Sequence, residues 1–216
     1  MAPATDGEWT PALAYAVGLV ATDGCLSNDG KTVIQTSKDR PVLEVFKDCI
    51  GSSAPITWNQ RAFRVQVTDV GFYLWLQGLG LTPRKSLTLG PVRVPGRLFL
   101  DFTRGLLDGD GSVMTPTVIP NPKRYPRHVY QQLRVLFHSA SASHLVWLRT
   151  ELMRHLQISG WMTSRMGPGR GAPLHVLRYS KHESITLLGA LYRDHDAPRL
   201  ERKWRVWNEF SLAHAN

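Results

Sequence analysis

"DFTRGLLDGDGSV", residues 101–113, is an apolar helical run that ends in two aspartates and two glycines. The C-terminus of a helix carries about half a negative charge, so Asp108 and Asp110 stand where carboxylates are least welcome. "AYAVGLVATDGCL", residues 14–26, shows the same pattern. Gly18 matches Gly105, Leu19 matches Leu106, Val20 matches Leu107, and Asp23-Gly24 matches Asp110-Gly111. Ala21 stands where the second copy has Asp108. The acid common to both copies is therefore the later one, Asp23 and Asp110, and Asp108 reads as dispensable.

The likeness continues beyond the two helices. Extended segments follow at 31–37 ("KTVIQTS") and 130–139 ("YQQLRVLFHS"), then helical ones at 41–51 and 143–156. A second extended pair, "AFRVQVT" (62–68) and "LHVLRYS" (174–180), precedes a second helical pair at 71–81 and 183–193. Each copy closes on Arg-Lys, in "TPRKS" (82–86) and "LERKW" (200–204). So many matches in one order mark a duplicated unit of helix, strands, helix, strands, helix. The Pro/Gly-rich stretch "TLGPVRVPGR" (88–97) joins the copies. It places an N-terminal half at 1–90, a linker at 91–97 and a C-terminal half at 98–216. The stretch 112–128 has no partner in the first half and reads as a long hairpin or an insertion, its Lys123, Arg124 and Arg127 favouring the hairpin.

Strand periodicity separates two faces. Leu133, Val135 and Phe137 oppose Gln132, Arg134 and His138, while Phe63, Val65 and Val67 oppose Arg64 and Gln66. Arg178 aligns with Gln66. In 31–37 either Lys31, Val33 and Gln35 or Thr32, Ile34 and Thr36 face outward, and periodicity does not choose. Each half then has helices on one face of a sheet and leaves open a face bearing Arg and Gln. These are the side chains that make bidentate contacts to guanine and adenine edges in the major groove; the plainer alternative is an ordinary solvated sheet. The candidate DNA contacts from the first half are Gln35, Lys38, Arg40, Arg61, Arg64 and Gln66. From the second half they are Lys123, Arg124, Arg127, Gln132, Arg134, His138, Arg165, Arg170, Arg178 and Lys181.

Charge points the same way. The formal net charge is +9, and the excess lies in the second part, where residues 96–216 hold 17 Lys and Arg against 9 Asp and Glu. A basic surface suggests a polyanionic partner, most often nucleic acid. Two cysteines, Cys25 and Cys49, exclude a disulfide framework and a cysteine-only zinc site and fit a reducing compartment. The eight histidines show no zinc-ligand spacing, and in "DGDGS" the calcium-loop register puts Ile119 where a bidentate Glu belongs. "MAPATDGEWT" lacks the basic start and apolar run of a signal peptide, and no apolar stretch is long enough for a bilayer. The expected place is intracellular with access to DNA, in a bacterial cytoplasm or an organelle, with no membrane partner.

The small residues along the two motif helices explain the acids. Ala14, Gly18 and Ala21 form one stripe, and Gly105 and Gly109 another. Missing side chains let two helix backbones approach, which offsets the roughly 1 kcal/mol that a helical Gly costs against Ala. The two helices are expected to pack on each other at Gly18 and Gly105, with Asp23 and Asp110 side by side at the base. Two adjacent carboxylates at negative helix ends make a pocket that suits a hard divalent cation. Mg²⁺ fits best, since it keeps its waters and shares phosphate oxygens. The minor groove of B-DNA is only about 6 Å wide, so phosphates of both strands can approach such a pair.

These motifs resemble those of the LAGLIDADG homing endonucleases in the single-chain form with two motifs. The resemblance covers nearly the whole chain. It implies an α+β fold of two pseudo-symmetric αββαββα units packed through the motif helices, with antiparallel sheets forming a DNA-binding saddle. It also implies a monomer that makes Mg²⁺-dependent double-strand breaks with short 3′ overhangs in a long DNA target. Mn²⁺ would be a substitute, and Ca²⁺ would bind without supporting cleavage. The metal-binding acids carry over to Asp23 and Asp110. A basic residue near the cleavage centre of each half carries over to Lys85 and Lys203, which alternatively are exposed lysines near helix ends. Two other functions are compatible with the resemblance: an RNA maturase acting on intron RNA, and a non-cleaving DNA-binding regulator. Regulators of this fold append a helix-turn-helix, for which 216 residues leave no room, so the endonuclease is expected.

Overall fold

The computed structural model describes residues 8–119, 124, 129–166 and 171–214. In the first half α1 (Pro11–Asp23) is followed by β1 (Gly24–Leu26), β2 (Thr32–Ser37), α2 (Arg40–Cys49), β3 (Ile56–Asn59), β4 (Ala62–Thr68) and α3 (Val70–Gly78). The local signals for α1 are plain. The Thr10 side chain accepts a hydrogen bond from the Leu13 amide at 3.1 Å and Pro11 opens the helix, where its missing N–H costs nothing.

The second half repeats this order. It runs α4 (Phe99–Asp108), β5 (Ser112–Met114), β6 (Thr117–Val118), β7 (Tyr130–Gln131), β8 (Arg134–Ser139), α5 (Ala142–Leu156), β9 (Trp161–Arg165), β10 (Leu174–Tyr179), α6 (Lys181–Leu191) and α7 (Glu201–Ala213). The two main sheets have the orders β1-β2-β4-β3 and β5-β8-β10-β9, antiparallel throughout. Strand for strand these are the same path, so each half is an αββαββα unit and the fold is α+β. What the second half adds is α7 and a small ribbon in which Thr117 pairs with Gln131 and Val118 with Tyr130. Two residues of the unpartnered stretch, Thr117 and Val118, thus pair antiparallel with the residues that lead into β8. Lys123, Arg127 and Arg170 lie outside the described residues; Arg124 is exposed.

Helices α1 and α4 form the most extensive helix pair and hold the halves together. A Cβ placed on Gly18 would overlap the Phe102 carbonyl oxygen, and one on Gly105 would overlap that of Tyr15. The backbones therefore touch at the two glycines, as the small-residue stripes predict. Buried side chains of both halves then join into one core, with Leu19, Phe46 and Phe72 on one side and Phe102, Leu133 and Tyr179 on the other.

Cross-strand pairing settles the faces. Leu133, Val135, Phe137, Val65 and Val67 are buried, as alternation predicts. Ile34 pairs with Gln66 and Thr36 with Arg64, so these share the face away from the core. Val33 and Gln35 pair with Val67 and Val65 and face inward. Gln35 is therefore corrected from a DNA contact to a core residue. It is 1% exposed, and its Nε2 donates to the Leu19 carbonyl at 3.2 Å.

Candidate active site and open sheet face

Asp23 is the last residue of α1, and Asp110 lies two residues beyond the end of α4. Because α1 and α4 touch at Gly18 and Gly105, both acids emerge at the same end of the helix pair. Their carboxyl groups are close enough to interact directly. Burial, and then the neighbouring Asp110, push the Asp23 carboxyl up to about 7. Asp110 is exposed.

The helix ends also answer how the acids are tolerated. The last carbonyls of a helix have no partner within it. Lys203, on α7, supplies donors: its Nζ bonds the carbonyl oxygens of Leu107 (2.6 Å), Asp108 (2.9 Å), Gly109 (3.2 Å) and Gly111 (2.7 Å). Lys85 donates in the same way to Gly24, the residue aligned with Gly111. Both lysines are buried, at 5% exposure, so they are not surface side chains. Burial drives the Lys203 ammonium down to about 8 and lowers Lys85 as well, while the nearby aspartates pull the other way. Two cations thus sit under the two acids, each at the negative end of a motif helix.

Asp108 is not dispensable. It is buried and accepts hydrogen bonds from the Leu200 amide (2.7 Å), Tyr15 Oη (2.9 Å) and Tyr192 Oη (3.4 Å). It ties α4 to α1, to the end of α6 and to the start of α7, three residues before Lys203. The first copy has Ala21 there because no α7 follows α3.

The open faces carry the following. Arg64 donates to Gln66 Oε1 at 2.7 Å, and Gln66 is exposed. Arg178 is exposed and pairs across the sheet with Trp161 and Leu136. Arg165, on β9, is exposed, as are Lys38 and Arg61 in loops of the first sheet. Gln132, just before β8, and Arg134, its first residue, are half-buried. His138 Nδ1 lies 3.0 Å from the Asp110 carbonyl oxygen. Lys181 donates to the Gln131 carbonyl at 3.3 Å and sits over Phe210. Arg40 is corrected: it pairs with Glu44 at 2.9 Å and lies over the Phe63 ring, on the helix side of the sheet. Trp161 is a residue that sequence reasoning missed. It is 69% exposed on the open face beside Arg178, and the alternation Trp161, Thr163, Arg165 was the available signal.

Among the described residues no three His, Cys, Asp or Glu side chains cluster as metal ligands. The paired acids offer two hard oxygen donors and leave the remaining positions to water or phosphate, a set that fits Mg²⁺ better than a metal needing a full protein cage.

No protein-family model and no curated protein matches the sequence. Solved structures do match the fold. I-DmoI in complex with DNA and Ca superposes with a TM-score of 0.59 at 15% identity, over 92% of this chain and 97% of that one. The meganuclease I-SmaMI bound to uncleavable DNA gives 0.55 at 15% identity, over 87% and 85%. Full-length DUF199/WhiA from Thermatoga maritima gives 0.54 at 14% identity; it covers 94% of this chain, which spans only 62% of WhiA. Further I-DmoI complexes with target DNA were obtained with Mn or Mg. The chain therefore has the fold of the LAGLIDADG homing endonucleases, a fold it shares with WhiA.

Proposed function

We propose that this protein is a site-specific DNA endonuclease of the single-chain LAGLIDADG type, with halves at 1–90 and 98–216 joined by 91–97. The observation that carries the reading is the pair Asp23 and Asp110, brought together at the ends of two duplicated helices beside sheet faces bearing Arg64, Gln66, Arg134 and Arg178. Asp23 and Asp110 hold the divalent ion, Mg²⁺ in the first instance. When bound, the ion neutralises charge on the phosphate and activates water. Lys85 and Lys203 keep the two acids in place and offset their charge. The open faces follow the major groove on either side of the cut, and the narrow minor groove lies over the acids, so both strands break with short 3′ overhangs. The partner is double-stranded DNA, and the working form is a monomer. No described helix is long and apolar enough to cross a membrane.

A selection for cleavage from a randomised duplex library with Mg²⁺ tests the reading. One long, nearly asymmetric target should emerge, and no cut product under any condition would sink it. The likeness to WhiA across most of this chain favours a second reading, DNA binding without cleavage. The same library would then yield bound but intact duplexes.

Binding in either case should weaken steeply with salt. Each neutralised phosphate contributes a slope of roughly −0.9 in log K against log salt. Titrations at several ionic strengths read this slope, and a flat response would point to a partner other than nucleic acid.

A further inference from the structure

Thr36 and His138 hold equivalent places in the two halves. Each is the penultimate residue of its strand, β2 or β8. Each reaches the main-chain oxygen of its own acid: Thr36 Oγ1 donates to Asp23 at 3.2 Å, and His138 Nδ1 lies 3.0 Å from Asp110. A carbonyl oxygen only accepts, so the imidazole donates from Nδ1, and in the neutral ring the lone pair is then on Nε2. The hydroxyl of Thr36 has no second group set apart from its carbonyl partner in this way. His138 and Asp110 also line one cavity of about 150 Å³, with Thr22 and Ser86 at its wall. At about 30 Å³ per water this holds several. In the same half Lys203 is occupied: its ammonium faces four carbonyl oxygens and has three protons to give. It has none to spare for orienting a nucleophile.

We propose that His138 takes part in the reaction on the DNA strand served by Asp110, its Nε2 accepting a hydrogen bond from the attacking water and aiming it at phosphorus. The water oxygen forms the new P–O bond, its proton passes to solvent, the bridging P–O bond breaks, and the leaving oxygen takes a proton from solvent. The inference rests on the endonuclease reading and adds to it that the two half-sites are not equivalent.

The test is single-turnover cleavage of the selected duplex with each strand labelled separately. The strand served by Asp110 is the one slowed more by Asp110→Asn. His138→Leu should slow that strand about 100-fold, the cost of a misplaced nucleophile, and the other by less than about 2-fold. Nicked duplex then accumulates. His138→Gln, which keeps a donor and an acceptor, should recover most of the loss. His138→Thr, a copy of the first half, should behave as the Leu variant does and serves if that variant does not fold. Equal slowing of both strands, or of neither, overturns the proposal. Absence of cleavage by the wild-type protein overturns the endonuclease reading itself, and this inference with it.

Discussion

Asp110→Asn is expected to slow Mg²⁺-dependent cleavage severely, most on the strand served by Asp110, while leaving DNA binding intact or tighter. A bound divalent ion contributes several kcal/mol to stabilising a phosphoryl transition state, so losing one of its two carboxylate ligands costs about 1000-fold or more in rate. Affinity should not fall, because the change removes a negative charge facing phosphate. Folding gives an independent readout. Asp23 is pushed from its ordinary 3.8 up to about 7 by burial and by Asp110. Between those values the folded protein keeps a proton that the unfolded chain releases, so stability falls as pH rises through that window. In Asp110→Asn the repulsive part is gone, and the fall should be shallower. Denaturant titrations in EDTA at about pH 5 and about pH 8 measure it: the variant should gain on the wild type at the higher pH and not at the lower. Wild-type cleavage by this variant, or by Asp23→Asn, would show that the acids are not the metal site.

What the sequence made legible follows from what repeats. The glycines and the alternating strands occur twice in one order and are used in the same way in both halves, and the acids recur with them, Asp23 at the end of α1 and Asp110 two residues beyond α4. What stayed hidden depends on partners distant in the chain. Gln35 alternates with Ile34 and Thr36 in a strand whose two faces are equally mixed. Its Nε2 finds the Leu19 carbonyl, 16 residues away, while its buried Oε1 has no hydrogen-bond partner among the described residues. Lys85 and Lys203 show only as charges in the sequence, and their burial follows from unpaired carbonyls at helix ends 61 and more than 90 residues earlier. Asp108 misled for the same reason. Comparing the copies marks it as unshared, but its partner Leu200 opens α7, which the first half lacks, and Tyr15 and Tyr192 reach it from distant helices. Nothing near Arg40 in the sequence shows which side of the sheet it takes; in the fold it pairs with Glu44, one helical turn on.

The largest structural effect is expected at the glycine contact. Gly18→Val should destabilise the protein by about 3 kcal/mol or more, at the upper end of the usual cost of overpacking. The reason is what a side chain meets there. Its Cβ would overlap the Phe102 carbonyl oxygen and come within 2.9 Å of the Gly105 Cα and the Leu106 amide nitrogen, all backbone of a buried helix. No rotamer change relieves such a contact, so α1 and α4 must move apart. Asp23, five residues along α1, then separates from Asp110, and cleavage should fall even in the fraction that stays folded. Gly109 supplies the control. A Cβ there meets the side chain of Thr22, with the Thr22 Cβ at 2.8 Å and Cγ2 at 3.3 Å. That neighbour can be trimmed. Gly109→Ala should therefore lose stability alone and recover much of it in combination with Thr22→Ala, where only the 2.8 Å contact remains to be eased. Trimming a side chain has nothing to offer Gly18→Val, because its obstacles are main-chain atoms. Thermal melts and strand-cleavage rates of the three variants make the comparison. If Gly18→Val keeps wild-type stability and activity, the two helices do not meet backbone to backbone, and the common base on which Asp23 and Asp110 stand is lost.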